Sequence, residues 1–134
     1  MGIRISLSRR ILGSPETTSI LVVDDEPEVR NLLRDVLSGV GYLVFEAENG
    51  RDALQLVENS EVDLVIMDLA MPEQDGFETI QILHRAWPQL RIIAISGRFA
   101  GLLSTAERFG AQAWLAKPIR PDQLLDVVAR VMDG

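Results

Sequence analysis

The stretch Val62–Gly76, VDLVIMDLAMPEQDG, decides how the rest of the chain is read. It opens with a nearly continuous apolar run of strand length, Val62 to Met67, interrupted only by Asp63. A short apolar run bounded by turn residues is the pattern of a strand buried on both faces of a sheet. Asp68 stands where that strand leaves its sheet, and Leu69, Ala70, Met71 and Pro72 lead to Asp75-Gly76, where the chain turns into helix. An acid in this position is poorly placed for stability and well placed for chemistry. Met71-Pro72 and Asp75-Gly76 read as turn chemistry shaping the loop.

The same alternation extends in both directions. Ser19–Val23 is an apolar strand ending in three acids, Asp24, Asp25 and Glu26, and Pro27 occupies a helix's first turn, where its missing N–H does no harm. Val29, Leu32, Leu33, Val36, Leu37 and Val40 follow at helical spacing, closed by Gly39 and Gly41. Tyr42–Ala47 is a second strand, and Asn49-Gly50 starts a second helix with Ala53, Leu54, Leu56 and Val57 inward. Phe77, Ile80 and Leu83, with Ile82 as a further candidate, form the inner side of a third helix, which Trp87-Pro88 ends because the residue before proline is pushed out of the α region. Arg91–Ile95 is a fourth strand running into Ser96-Gly97. A weakly patterned helix falls within Ala100–Phe109, Gln112–Ala116 is a fifth strand ending at Lys117-Pro118, and Pro121 begins a last helix. Strands alternating with helices predict an α/β domain, a parallel sheet with helices on both faces.

In such sheets ligands bind at the carboxyl ends of the strands. This chain places Asp24 and Asp25 after the first strand, Asp68 after the third, Ser96 after the fourth and Lys117 after the fifth, while the second ends in nothing comparable. Three carboxylates on one rim repel one another and call for a hard divalent cation with oxygen ligands, Mg²⁺ with Mn²⁺ as the alternative. The lack of a nearby His or Cys argues against zinc. A carboxylate can act as a nucleophile on phosphorus, and the transferred phosphoryl group needs positive charge on its oxygens. Lys117, the only lysine, can supply it, and Ser96 can donate a hydrogen bond.

Composition agrees with one globular domain: 134 residues, 47% hydrophobic, no cysteine and no run long enough for a membrane span. No disulfide or thiolate chemistry is available, and a cytoplasmic location is expected. The net charge of −7 argues against nucleic-acid binding by the main body. Residues 1–18 hold Arg4, Arg9 and Arg10 against Glu16, a balance of +2 that leaves −9 on residues 19–134. They read as an N-terminal tail or linker ahead of the domain at 19–134. His84 lies away from the rim and reads as a surface or partly buried residue.

Five pieces in order, ILVVDDEP, AENGRDAL, VDLVIMDLAMPEQDG, Ser96 and WLAKP, resemble the response-regulator receiver domain of bacterial two-component signalling, the CheY-like family. The resemblance covers about Ile20 to Met132. It implies a doubly wound, flavodoxin-like (βα)5 fold with strand order 2-1-3-4-5. It implies Asp68 as the phosphoacceptor, Asp25 and Asp24 as the acids holding the metal, and the Ala70 backbone carbonyl as a further ligand. It also implies Lys117 and Ser96 as phosphoryl-binding groups, and a cis bond before Pro118.

Ser96 and residue 114 form the family's switch pair, and here Trp114 stands where receivers have Tyr or Phe. An indole is bulkier and needs a partner for its N–H when buried, so filling the core remains an alternative role for Trp114. Ala70 and Arg98 occupy positions that in the family tune autodephosphorylation. The implied partner is a histidine kinase or phosphotransfer protein, with no membrane and no direct nucleic-acid contact. A homodimer through the face of the fourth helix, fifth strand and fifth helix is a further expectation. On this reading the domain is a signalling switch with only intrinsic autophosphorylation and autodephosphorylation, not an enzyme on an external substrate. The alternatives are a receiver-fold interaction or dimerisation module, and the receiver segment of a hybrid histidine kinase or transcription factor. A Mg²⁺-dependent phosphohydrolase is disfavoured, because no separate acid–base residue or cap segment is visible.

Overall fold

The computed structural model describes residues 17–71, 76–97 and 106–133. The elements are β1 (Ser19–Val23), α1 (Pro27–Gly39), β2 (Leu43–Ala47), α2 (Gly50–Asn59), β3 (Leu64–Asp68), α3 (Gly76–Ala86), β4 (Arg91–Ser96), β5 (Ala113–Ala116) and α5 (Pro121–Asp133). Residues 106–108 are helical and are labelled α4. Most of the N-terminal tail, Arg98, the start of the expected fourth helix and residues 72–75 of the expected loop lie outside the described residues.

The strands form one parallel sheet in the order β2-β1-β3-β4-β5. Successive side chains on a strand point to opposite faces, and both faces here are apolar. Leu21, Val23, Val65, Met67, Ile92 and Ala94 pack with Ala53 and Val57 of α2 and with Ile80 and Leu83 of α3. Ile20, Val22, Leu64, Ile66, Ile93 and Ile95 pack with Leu33 and Leu37 of α1 and with Leu124, Val127 and Val128 of α5. A strand covered on both sides must be apolar at every position, which is why β1 and β3 read as continuous runs. No helix of the described residues is long and apolar enough to cross a membrane.

Several boundaries differ from the sequence reading, each for a local reason. β3 starts at Leu64, because Asp63 precedes the ladder and closes its edge: its Oδ2 accepts the Ser19 N–H at 2.8 Å and its own N–H donates to the Ser19 carbonyl at 2.9 Å. β5 starts at Ala113, since Gln112 uses both side chain and backbone on Ile92, at 2.7 and 2.8 Å. β4 runs on through Ser96. In α1 the inner face is Leu33 and Leu37, whereas Leu32 is 39% exposed and Val40, past the helix end, 57%. Ile82 likewise points outward. Gly41 follows with φ +104°, a left-handed turn that glycine adopts without a Cβ clash.

Candidate functional site

Parallel strands bring all their carboxyl ends to one rim, so the polar residues that follow β1, β3, β4 and β5 meet there. Asp24 comes directly after β1 and is fully buried. Its Oδ1 accepts the Glu26 N–H at 2.9 Å, and its Oδ2 lies 2.9 Å from Lys117 Nζ. Asp68 is the last residue of β3 and 1% exposed. Its Oδ1 accepts the Ala70 N–H at 3.2 Å, and its Oδ2 is 3.7 Å from Lys117 Nζ. Asp25 is exposed at the mouth. One carboxylate oxygen from each of Asp24, Asp25 and Asp68 falls within 4.8 Å of the others.

Lys117 approaches from β5. Its backbone N–H donates to the Ser96 carbonyl at 2.9 Å, and the bond to Pro118 is cis. Its stem passes over Gly97, where an added Cβ would stand 3.1 Å from Lys117 Cβ. Ser96 is fully buried and sits one residue beyond Ile95, the register partner of Asp68. Gly76 brings the start of α3 against the Asp68–Leu69 backbone: a Cβ there would overlap the Asp68 carbonyl and lie 2.7 Å from Leu69 Cα. Trp114 points outward and is 43% exposed, so it is not core filler in this state. It borders a groove of about 480 Å³ with Glu107, Gln112, Ala113, Arg130 and Val131. His84 is exposed and packs beside Gly110, away from the rim.

The electrostatics follow from burial and crowding. Burial, and then the neighbouring Asp24 charge, push Asp68 up from 3.8 to about 6, against the Ala70 N–H and Lys117, which pull it down. Burial also raises Asp24, partly offset by the Glu26 N–H and Lys117. Burial disfavours the Lys117 ammonium, but its bonds to Asp24 and Glu26 outweigh that and carry it up to about 12. One ammonium therefore faces an excess of carboxylates. Asp24 Oδ2, fully buried, is met by the Lys117 ammonium at 2.9 Å and accepts no other hydrogen bond among the described residues. All-oxygen donors and surplus negative charge around a single ammonium fit a hard divalent cation such as Mg²⁺.

Two contributions were not assigned by the sequence reading. Glu26, the third acid after β1, reaches Lys117 Nζ at 3.0 Å. The second strand, which seemed to end in nothing useful, supplies Glu46, whose carboxylate lies 3.4 Å from Arg30 Nε. The signal for Glu26 was its place beside the acid pair. The Arg30–Glu46 pair had none until strand register set Glu46 opposite Val22.

The class of protein is that of a doubly wound, flavodoxin-like sheet with an acid cluster and a lysine at its carboxyl rim. The match to known proteins is specific: the family model for the response regulator receiver domain covers residues 20–129, and the chain belongs to that family. The chemotaxis protein CheY of Thermotoga maritima is 33% identical over 115 residues, 84% of this chain and 95% of that one. A CheY-like receiver domain protein from Methanospirillum hungatei JF-1 superposes with TM-score 0.83 at 27% identity, covering 87% of this chain and 94% of that one. The response regulator TrrA of Thermotoga maritima, solved in complex with Mg²⁺–BeF, has TM-score 0.79 at 32% identity over 86% and 99% of the two chains.

Proposed function

We propose that this domain is the phosphoacceptor switch of a two-component phosphorelay, with Asp68 as acceptor. The observation that carries the reading is the buried Asp68 carboxylate at the end of β3, with Lys117 Nζ 3.7 Å away and the Asp24 and Asp25 oxygens beside it. An Asp68 oxygen attacks the phosphorus of a phosphohistidine on a histidine kinase or phosphotransfer protein. The O–P bond forms as the P–N bond breaks, and the imidazole leaves with the electron pair. The Lys117 ammonium neutralises charge on a phosphoryl oxygen, and the Ser96 hydroxyl donates to another. Asp24, Asp25, Asp68 and the Ala70 carbonyl would hold Mg²⁺, or Mn²⁺ in its place. When bound, the cation supplies further charge neutralisation at the phosphoryl oxygens.

The signal is a shift between two arrangements of one fold, with Ser96 and Trp114 biasing the surface of α4, β5 and α5. Incubation with acetyl phosphate and Mg²⁺, read by intact mass, is the test. Wild type gains one hydroxylamine-sensitive phosphoryl group and Asp68→Asn gains none; equal labelling of the two would overturn the assignment.

The exposed Trp114 beside its groove favours a second reading, a receiver-fold module that works through partner or self-association at that face. An oligomeric state that ignores Mg²⁺ and beryllofluoride in light scattering would support it over the switch.

A further inference from the structure

Arg30 and Glu46 do not face the phosphoryl site, yet they grip the loop that carries two of its acids. Arg30 lies in α1 with its side chain 14% exposed. Its NH1 donates to the Asp24 carbonyl at 2.7 Å, the shortest contact that loop makes with a side chain among those described, while its Nε faces Glu46 Oε1 at 3.4 Å. Glu46 is held in turn by Arg34 NH1 at 3.3 Å. On the other side of the same residue, the Asp24 N–H donates to the carbonyl of Ala47, the neighbour of Glu46, at 3.2 Å. The end of β2 thus holds Asp24 both directly and through Arg30.

The Asp24 carbonyl belongs to the peptide plane shared by Asp24 and Asp25. Holding that plane sets ψ of the first residue and φ of the second, and so the directions from which both carboxylates leave the backbone. A planar guanidinium can serve a carbonyl and a carboxylate together, which a lysine cannot do with the same geometry.

We infer that Arg30, backed by Glu46, is a positioning residue for Asp24 and Asp25 and sets the divalent-cation affinity of the rim. The inference rests on reading the acid cluster as a Mg²⁺ site. Groups that orient metal ligands from behind typically change affinity about 10- to 100-fold when removed.

Isothermal titration of the full chain with MgCl₂ tests it, alongside urea unfolding of each metal-free variant. Arg30→Gln is expected to weaken Mg²⁺ binding by about 10-fold or more. Arg30→Lys and Glu46→Gln should each weaken it several-fold, and Arg34→Gln should leave it within about two-fold, since Arg34 touches Glu46 but not the loop. Arg30→Gln and Glu46→Gln both binding Mg²⁺ as wild type does would overturn the inference, whatever their unfolding midpoints. Should Arg30→Gln fail to fold, Glu46→Gln, at a side chain 30% exposed, decides the matter. A wild type that binds no Mg²⁺ would instead remove the metal reading itself, and this inference with it.

Discussion

Lys117 Nζ stands 2.9 Å from Asp24 Oδ2 but 3.7 Å from Asp68 Oδ2, so the lysine is engaged by the acid after β1 more closely than by the acid after β3. The ammonium lies inside the site, among Asp24, Glu26 and Asp68, beside the carboxylate that the proposed phosphoryl transfer would modify. Removing it leaves Asp24 buried without its cation. Lys117→Gln is therefore expected to lose about 3 kcal/mol of metal-free stability by chemical denaturation, and to slow acetyl phosphate labelling by roughly 10²-fold. A variant labelled at the wild-type rate would remove Lys117 from the chemistry.

The pH dependence of Asp68 has a definite sign. Its pKa rises from 3.8 to about 6 in the folded chain, so the folded state holds the proton more tightly than the unfolded state does. The stability this gives is complete below the unfolded value and is lost as pH climbs through about 6. A difference of a little over two units corresponds to at most about 3 kcal/mol. In chelator, Asp68→Asn should match wild type near pH 4 and be more stable than it at pH 7.5. Parallel stability curves for the two proteins across that range would contradict the buried, crowded carboxylate described above.

A cation that binds only the folded state raises stability with its concentration, by about 2.7 kcal/mol at 100 times Kd. Mg²⁺ should raise the melting temperature of wild type and a chelator should reverse it. Asp25 is exposed and makes no hydrogen bond or ion pair that braces the fold among the described residues, so Asp25→Asn should melt normally without metal yet lose most of the Mg²⁺ response. An undiminished response would take Asp25 out of the ligand set.

Trp114 is 43% exposed on β5, and its truncation to Ala should change stability by under about 1 kcal/mol in denaturant titrations. The chain has two tryptophans, so the wild type minus Trp114→Phe difference isolates this one. With Mg²⁺ and beryllofluoride that difference emission should shift to shorter wavelength as the indole leaves water. A spectrum that does not move would keep Trp114 outside the switch.

Much of the site was legible because it lies at strand ends. Asp68 after LVIM, the acids after ILVV and Lys117 after WLA are each visible as a polar residue terminating an apolar run. The side chains that end up exposed were harder: Leu32 and Ile82 fit their helical patterns and still point outward, because the helices bury a narrower stripe than the pattern allowed. Trp114 was undecided between core and surface, because its sequence pattern does not say which face of an edge strand it takes; β5 lies at the edge of the sheet and Trp114 stands exposed on it.

The apolar runs and their punctuation were sufficient to specify five βα units and the rim to which the acids go, since a strand buried on two faces leaves its pattern in every residue. They could not specify which of the rim groups touch. Glu26 meets Lys117 across 91 residues of chain, and Arg30 meets Glu46 across a helix and a strand junction. Such pairings depend on strand order and register, which bring β5 and β2 to bear on the β1–α1 loop from opposite sides. Local sequence fixes the character of each side chain, whereas distances of a few ångströms between charges, and the pKa values that follow from them, arise only when the sheet is assembled.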